Sequence, residues 1–160
     1  MRTAKACFKK ISMVKSKSYL FFLTALVIAV LDQLTKHIIK NGFLGINFTL
    51  NSGSLWGIFQ NSAALLVWLS VLIIGVFLFN YEKIQKSHIL VRLGSGMIVG
   101  GAIENMIDRI FYKGVIDFIN LGWFPSFNIA DSGISVGVTI LVIYFVFEEK
   151  IKLSEKNKII

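Results

Sequence analysis

Long apolar runs separated by short polar stretches set the pattern of this chain. The runs cover Tyr19–Leu31 (resumed by Ile38 and Ile39), Ser62–Phe79, Ile89–Ile110 and Asp131–Phe147. A helix rises 1.5 Å per residue, so residues 19–39 extend about 31 Å, enough to cross a bilayer. The fourth run is short, at about 26 Å. The third holds Gly94, Ser95, Gly96, Gly100, Gly101 and Ala102, small residues that let membrane helices approach closely. Between the first two runs, residues 40–61 are rich in Gly, Asn and aromatics, and the alternation Ile46-Asn47-Phe48-Thr49-Leu50 predicts a small strand or hairpin at the membrane surface. Residues 80–88 form a short charged turn. Residues 111–130 form a second exposed connection, with Trp123, Phe124 and Pro125 suited to an interfacial turn. The predicted fold is an all-α membrane protein with four transmembrane helices and a small β-rich surface region.

Composition and charge sharpen that picture. Of 160 residues, 55% are hydrophobic and 16% charged, against roughly a quarter charged in a soluble domain. The net charge of +8 would suit nucleic acid, but the apolar content and the grouping of the basic residues exclude a soluble nucleic-acid binder. Residues 1–18 carry six basic residues and no acid; with Tyr19–Leu31 they have the outline of a signal peptide. No small-x-small cleavage site follows, however, and three further apolar segments do. The chain therefore divides into a basic leader (1–18), a four-span domain (19–147) and a charged tail (148–160) expected to fray. The leader, the 80–92 turn and the tail hold 13 basic residues; the opposite side holds Lys36, Lys40, Arg109 and Lys113. The positive-inside rule puts both termini in the cytoplasm. The lone Cys7 has no intrachain disulfide partner, and no apolar run precedes it as a lipidation site requires.

This topology gathers the chemistry. Asp32, Glu104, Asp108, Asp117 and Asp131 all fall near the extracytoplasmic surface, whereas the other four acids lie among cytoplasmic lysines. Ionisable groups at membrane depth are costly, which makes such a cluster a functional hypothesis. Asn105, Asp108 and Arg109 are spaced to share a helix face, and Asp131 is placed to open the fourth helix. Singly, Asp131 reads more often as a helix cap than as a catalyst, and Asp108 with Arg109 as a structural ion pair. His37 and His88 lie on opposite sides and there is no second Cys, so a His or Cys metal set is not assembled. A carboxylate Mg²⁺ site would lack a phosphate-binding loop. Ser126 or Ser132 beside Lys36 or Lys113 is open as a Ser–Lys pair, although no spacing selects it. Two aspartates sharing one proton and activating a water make the simplest machine, since close like charges cannot both ionise.

The residues also resemble a known family. In order, Asp32-Gln33-Leu34-Thr35-Lys36, Asn51-Ser52-Gly53, the run Gly100–Arg109, Val115-Ile116-Asp117-Phe118-Ile119 and Phe127-Asn128-Ile129-Ala130-Asp131 are similar to the motif blocks of lipoprotein signal peptidase (signal peptidase II), over roughly residues 19–147. The resemblance implies an aspartic endopeptidase of the bacterial inner membrane that cuts prolipoproteins just before a diacylglyceryl-modified Cys. It implies Asp117 and Asp131 as the catalytic dyad, with Asn105, Arg109 and Asn128 lining and orienting the site. Asp32, Lys36, Asn51, Gly53 and Asp108 would support it or touch substrate, and residues 40–61 would cradle the lipid-bearing substrate. It implies no metal or cofactor, membrane lipids as surroundings, and no requirement for an oligomer. Two positions depart from the pattern: Glu104 stands where a small residue is usual, and Ser54-Leu55-Trp56 replaces an Ala-rich run. A proton- or ion-coupled carrier would instead distribute its acids through the membrane. A scaffold with a purely structural cluster would tolerate Asp→Asn changes.

Overall fold

The first apolar run lies within one continuous helix, α1 (Arg2–Lys40), so the basic leader is helical and unbroken from the span. The computed structural model describes the backbone of residues 2–42, 45–53 and 62–157, and the side chains of 19–42, 45–53 and 62–149. The order continues with β1 (Thr49–Asn51), α2 (Ala63–Phe79), α3 (Tyr81–Lys86), α4 (Ile89–Tyr112), β2 (Val115–Asp117) and α5 (Ile129–Asn157). Two expectations are corrected. The 80–88 turn contains the short helix α3, and the tail from residue 148 continues α5 as far as Asn157 instead of fraying there. The departure at Ser54-Leu55-Trp56 lies outside the described residues.

Helices α1, α2 and α5 all pack on α4, which is the central element. Glycines set the closeness of two of these seams. A Cβ on Gly100 would stand 2.5 Å from the Ala25 carbonyl oxygen of α1, and one on Gly137 would stand 2.6 Å from the Gly94 oxygen of α4. Small residues at such points let backbones meet and gain dispersion contact where no water is available to drive association. At the end of α4 where Val91 lies, Phe21, Ile84, Val91 and Val99 form an apolar core, with Tyr81 of α3 against Phe21.

Burial is inverted relative to a soluble protein. Phe79 is 90% and Trp68 70% exposed, while Asp32 and Asn128 are fully buried. Residues 19–40 and 129–149 are long and apolar enough to cross a membrane, and α2 is a shorter apolar helix. Helix α4 carries its polar load inward, toward the neighbours that surround it.

The expected surface strand is β1, but its partner comes from the other connection. β1 and β2 pair antiparallel, with Thr49 opposite Asp117, Leu50 opposite Ile116 and Asn51 opposite Val115. An isolated bridge between Ile119 and Phe127 closes the following loop. Thus residues 111–130, read from sequence as an exposed connection, contain a buried strand: Val115, Ile116 and Asp117 are all buried.

Candidate active site

The first turn of α5 organises the polar cluster. A helix start leaves its first N–H groups without intrahelical partners. Here Asn128 Oδ1 accepts from Asp131 N at 2.8 Å, and Asp131 Oδ2 accepts from Asn128 N at 3.3 Å. This is a reciprocal capping box built from Asn and Asp. A third donor, Ala130 N, is taken by Asp32 Oδ1 of α1 at 2.9 Å. The carboxyl of Asp131 is therefore oriented by the helix it caps, and Asn105 Nδ2 of α4 donates to its other oxygen at 2.7 Å.

Asp117, at the end of β2, is buried beside it. Asn51 Nδ2 donates to its Oδ2 at 2.9 Å and Asn128 Nδ2 to its Oδ1 at 2.8 Å. The β1–β2 register brings Asn51 there, and Thr49 Oγ1 adds a bond to the Asp117 carbonyl at 3.4 Å. Burial pushes the Asp117 carboxyl up to about 6; the Asn51 donor opposes this, the Asp131 charge adds to it, and Asn128 and Lys36 oppose it. Asn128 thus touches both carboxyl groups, that of Asp117 through its carboxamide and that of Asp131 through its backbone N–H. Such a pair, coupled and with one member moved toward neutral pH, can hold a proton on one side while the other accepts one.

The remaining predicted residues surround this pair. Lys36 is buried between Asp32, at 2.5 Å, and Asp108, at 2.7 Å. Asp108 also accepts from Ile116 N at 3.2 Å, which pins β2 to α4. Asp108 pairs with Lys36 of α1, although its spacing from Arg109 suggested a partner on its own helix. Arg109 instead donates to the carbonyls of Asn105, at 3.1 Å, and Gly53, at 3.3 Å. Gly53 N in turn donates to Asn51 Oδ1 at 3.0 Å, so a turn holds the amide that reaches Asp117. All ten candidate residues belong to this one network. Ser132 Oγ donates to Asn128 O at 2.9 Å, and Lys36 is locked between two carboxylates, so a Ser–Lys pair drawn from these two is already engaged elsewhere. Among the described residues, no group of three or more His, Cys, Asp or Glu is placed to hold a metal ion.

Sequence reasoning overlooked Gln33, whose Nε2 donates to Glu104 Oε2 across the α1–α4 seam; the adjacency of Asp32 and Gln33 was the available signal. It also overlooked a cleft of about 360 Å³ along α5 and the 119–127 loop. Leu121, Trp123, Phe124, Phe127 and Val136 give it apolar walls, and Asp131, Ser132 and Ser135 supply its polar side. Asp131 therefore borders a space open to an apolar ligand.

Apolar flanks turned outward around a buried Asp117 and a half-buried Asp131, with an apolar cleft at their edge, are the arrangement of a membrane enzyme. Residues 24–147 match the family described as signal peptidase (SPase) II. A lipoprotein signal peptidase from Listeria monocytogenes serotype 4a (strain HCC23) is 34% identical over 149 residues, covering 82% of this chain and 97% of the relative. One from Clostridium novyi (strain NT) is 37% identical over 139 residues, covering 76% and 93%. Two solved structures, each described as a bacterial membrane enzyme, share the fold. One has a TM-score of 0.73 at 25% identity, over 81% of this chain and 88% of that one. The other has 0.69 at 28% identity, over 78% and 91%. The chain belongs to the signal peptidase II family and is a membrane peptidase.

Proposed function

We propose that this protein removes the signal peptide from diacylglyceryl-modified prolipoproteins, cutting just before the lipidated Cys, with Asp117 and Asp131 as an aspartic dyad. The carrying observation is that Asn128 hydrogen-bonds Asp117 while forming the capping box with Asp131. One carboxyl, ionised, takes a proton from water as the water oxygen attacks the scissile carbonyl carbon. The other, protonated, donates to the carbonyl oxygen. Collapse of the tetrahedral intermediate breaks the C–N bond, and the proton taken from water passes to the leaving amine. Asn105, Asn128 and Asn51 orient the carboxyls, Arg109 holds the Gly53 turn, and the Asp32–Lys36–Asp108 group fixes helix α1 and strand β2 around them. The names of the relatives support a lipoprotein precursor as substrate, and the apolar cleft bordering Asp131 suits one that carries hydrocarbon.

In this reading α1, α2, α4 and α5 are four spans of a bacterial inner membrane, with both termini and the basic leader cytoplasmic and the site on the extracytoplasmic side. A surface site suits the substrate, because water must reach the dyad while acyl chains stay in lipid.

The test is cleavage of a diacylglyceryl-modified precursor, and of its unmodified form, by purified full-length protein in detergent. Only the modified precursor is cut, and Asp117→Asn and Asp131→Asn each lower kcat by about 10²–10⁴-fold with melting behaviour retained. Full activity in either folded variant removes the aspartic mechanism.

A further inference from the structure

Glu104 is a buried carboxyl that no step above uses. It lies on α4 beside Asn105, is 4% exposed, and accepts a hydrogen bond from Gln33 of α1. A carboxyl held among membrane helices is costly, and its retention calls for a role. The neighbours of this pair supply one. Asp32, next to Gln33, accepts from Ala130 N at 2.9 Å. Asn105, next to Glu104, donates to the Asp131 carboxyl at 2.7 Å. Three adjacent pairs, Asp32–Gln33 on α1, Glu104–Asn105 on α4 and Ala130–Asp131 on α5, therefore form a closed circuit. Each of its three edges joins a different pair of helices, and the Gln33–Glu104 edge is the one that does not touch α5.

That edge lies between two other α1–α4 contacts. The Ala25–Gly100 approach lies on one side of it along the helices, and the Lys36–Asp108 ion pair on the other. The glycine contact sets how close α1 comes, and the ion pair ties the helices beyond the circuit. Gln33–Glu104 fixes how α1 is turned at Asp32, the level at which Asp32 and Asn105 grip successive residues of α5.

We propose that Glu104 is a positioning residue for the peptidase reaction: by holding Gln33 it orients α1 against α4, so that Asp32 and Asn105 together aim the Asp131 carboxyl. The kinetic part of this rests on the dyad reading given above.

The test uses full-length enzyme and the diacylglyceryl-modified precursor. Glu104→Ala and Gln33→Ala each lower kcat about fivefold with KM unchanged, the loss expected when a supporting hydrogen bond is removed. The double variant is no worse than either single one, because both open the same edge. Glu104→Gln restores kcat, since its carboxamide oxygen still accepts from Gln33. Additive losses, a change confined to KM, or a Glu104→Gln variant as impaired as Glu104→Ala would overturn the proposal. Should Glu104→Ala not fold, Glu104→Asp, whose carboxyl is one methylene short of Gln33, must show the kcat loss that Glu104→Gln lacks; equal rates would overturn it. Amide hydrogen exchange at Ala130 gives a reading independent of substrate: it quickens in the Gln33 and Glu104 alanine variants. Unchanged exchange there sinks the positioning role, whereas activity surviving in Asp131→Asn sinks the dyad reading alone.

Discussion

Asp117 carries the clearest electrostatic signature outside the helices. Its ordinary carboxylate value is 3.8, and burial raises it to about 6. The folded protein therefore keeps this proton after the unfolded chain has released it. The resulting stabilisation is fully present below the unfolded value and is lost as pH rises through about 6. Asp117→Asn removes this titration, so its melting temperature should gain on that of wild type between about pH 4 and pH 7. A temperature difference constant across that window would rule out the raised value. Not every partner of this residue was legible in the sequence. Asn128, eleven positions on, lies in a recognisable block, and the Asn-Ile-Ala-Asp run announces a helix start. Asn51 was nameable only through its resemblance to a motif, because nothing in Asn51-Ser52-Gly53 says that a distant strand will bring it to Asp117. Glu104 and Gln33 were visible as polar residues, but their contact depends on the relative rotation of two helices.

Among the elements, the long helices and the first strand were legible, and the short helix α3, the second strand and its pairing were not. Apolar runs of helical length declare themselves, and the ends of α2 and α4 fall within a few residues of the runs that predicted them. Strands of three residues have a weaker signal, which alternation over residues 46–50 supplied for β1 and nothing supplied for β2. Their pairing is decided by what they pack against, here Asp108 holding Ile116 N and the register that places Thr49 opposite Asp117. Gly114 shows how closely the small sheet is fitted to the site. A Cβ there would stand 3.0 Å from Leu50 Cγ and 3.1 Å from the Asn51 carbonyl oxygen. Gly114→Ala should therefore push β1 away and lengthen the Asn51–Asp117 bond. The expected outcome is about a tenfold lower kcat with a nearly unchanged melting temperature, since so short a sheet contributes little to global stability. A large fall in melting temperature with kcat intact would show that the contact serves the fold alone.

Among the described residues an apolar exterior surrounds an interior that is apolar near Val91 and polar near Asp131, and the proposed orientation can be tested directly. In a Cys7→Ser background, Lys113→Cys lies beyond the site end of α4, and Lys86→Cys lies on α3 at the opposite end. Both native side chains are exposed. A membrane-impermeant thiol reagent applied to intact spheroplasts should label the residue 113 variant and reach residue 86 only after lysis. The reverse pattern would invert the topology. At this scale the gathering of Asp32, Glu104, Asp108, Asp117 and Asp131 was legible in the sequence, while the central place of α4 was not. That helix holds Arg92, Glu104, Asn105, Asp108 and Arg109, a polar load set within an apolar run. Its tolerance of them becomes intelligible only with α1, α2 and α5 around it.

The shared cap at the start of α5 also makes the proposed catalytic pair observable from the backbone. Asn128 N–H ends on the Asp131 carboxyl, and Asp131 N–H ends on the carboxamide that touches Asp117. Any proton gained, or any inhibitor that captures either carboxyl, must alter the bond at one of these two amides. In an isotope-labelled sample, residues 128 and 131 are thus a built-in gauge, two resonances that follow the charge of the pair without a probe in the cleft.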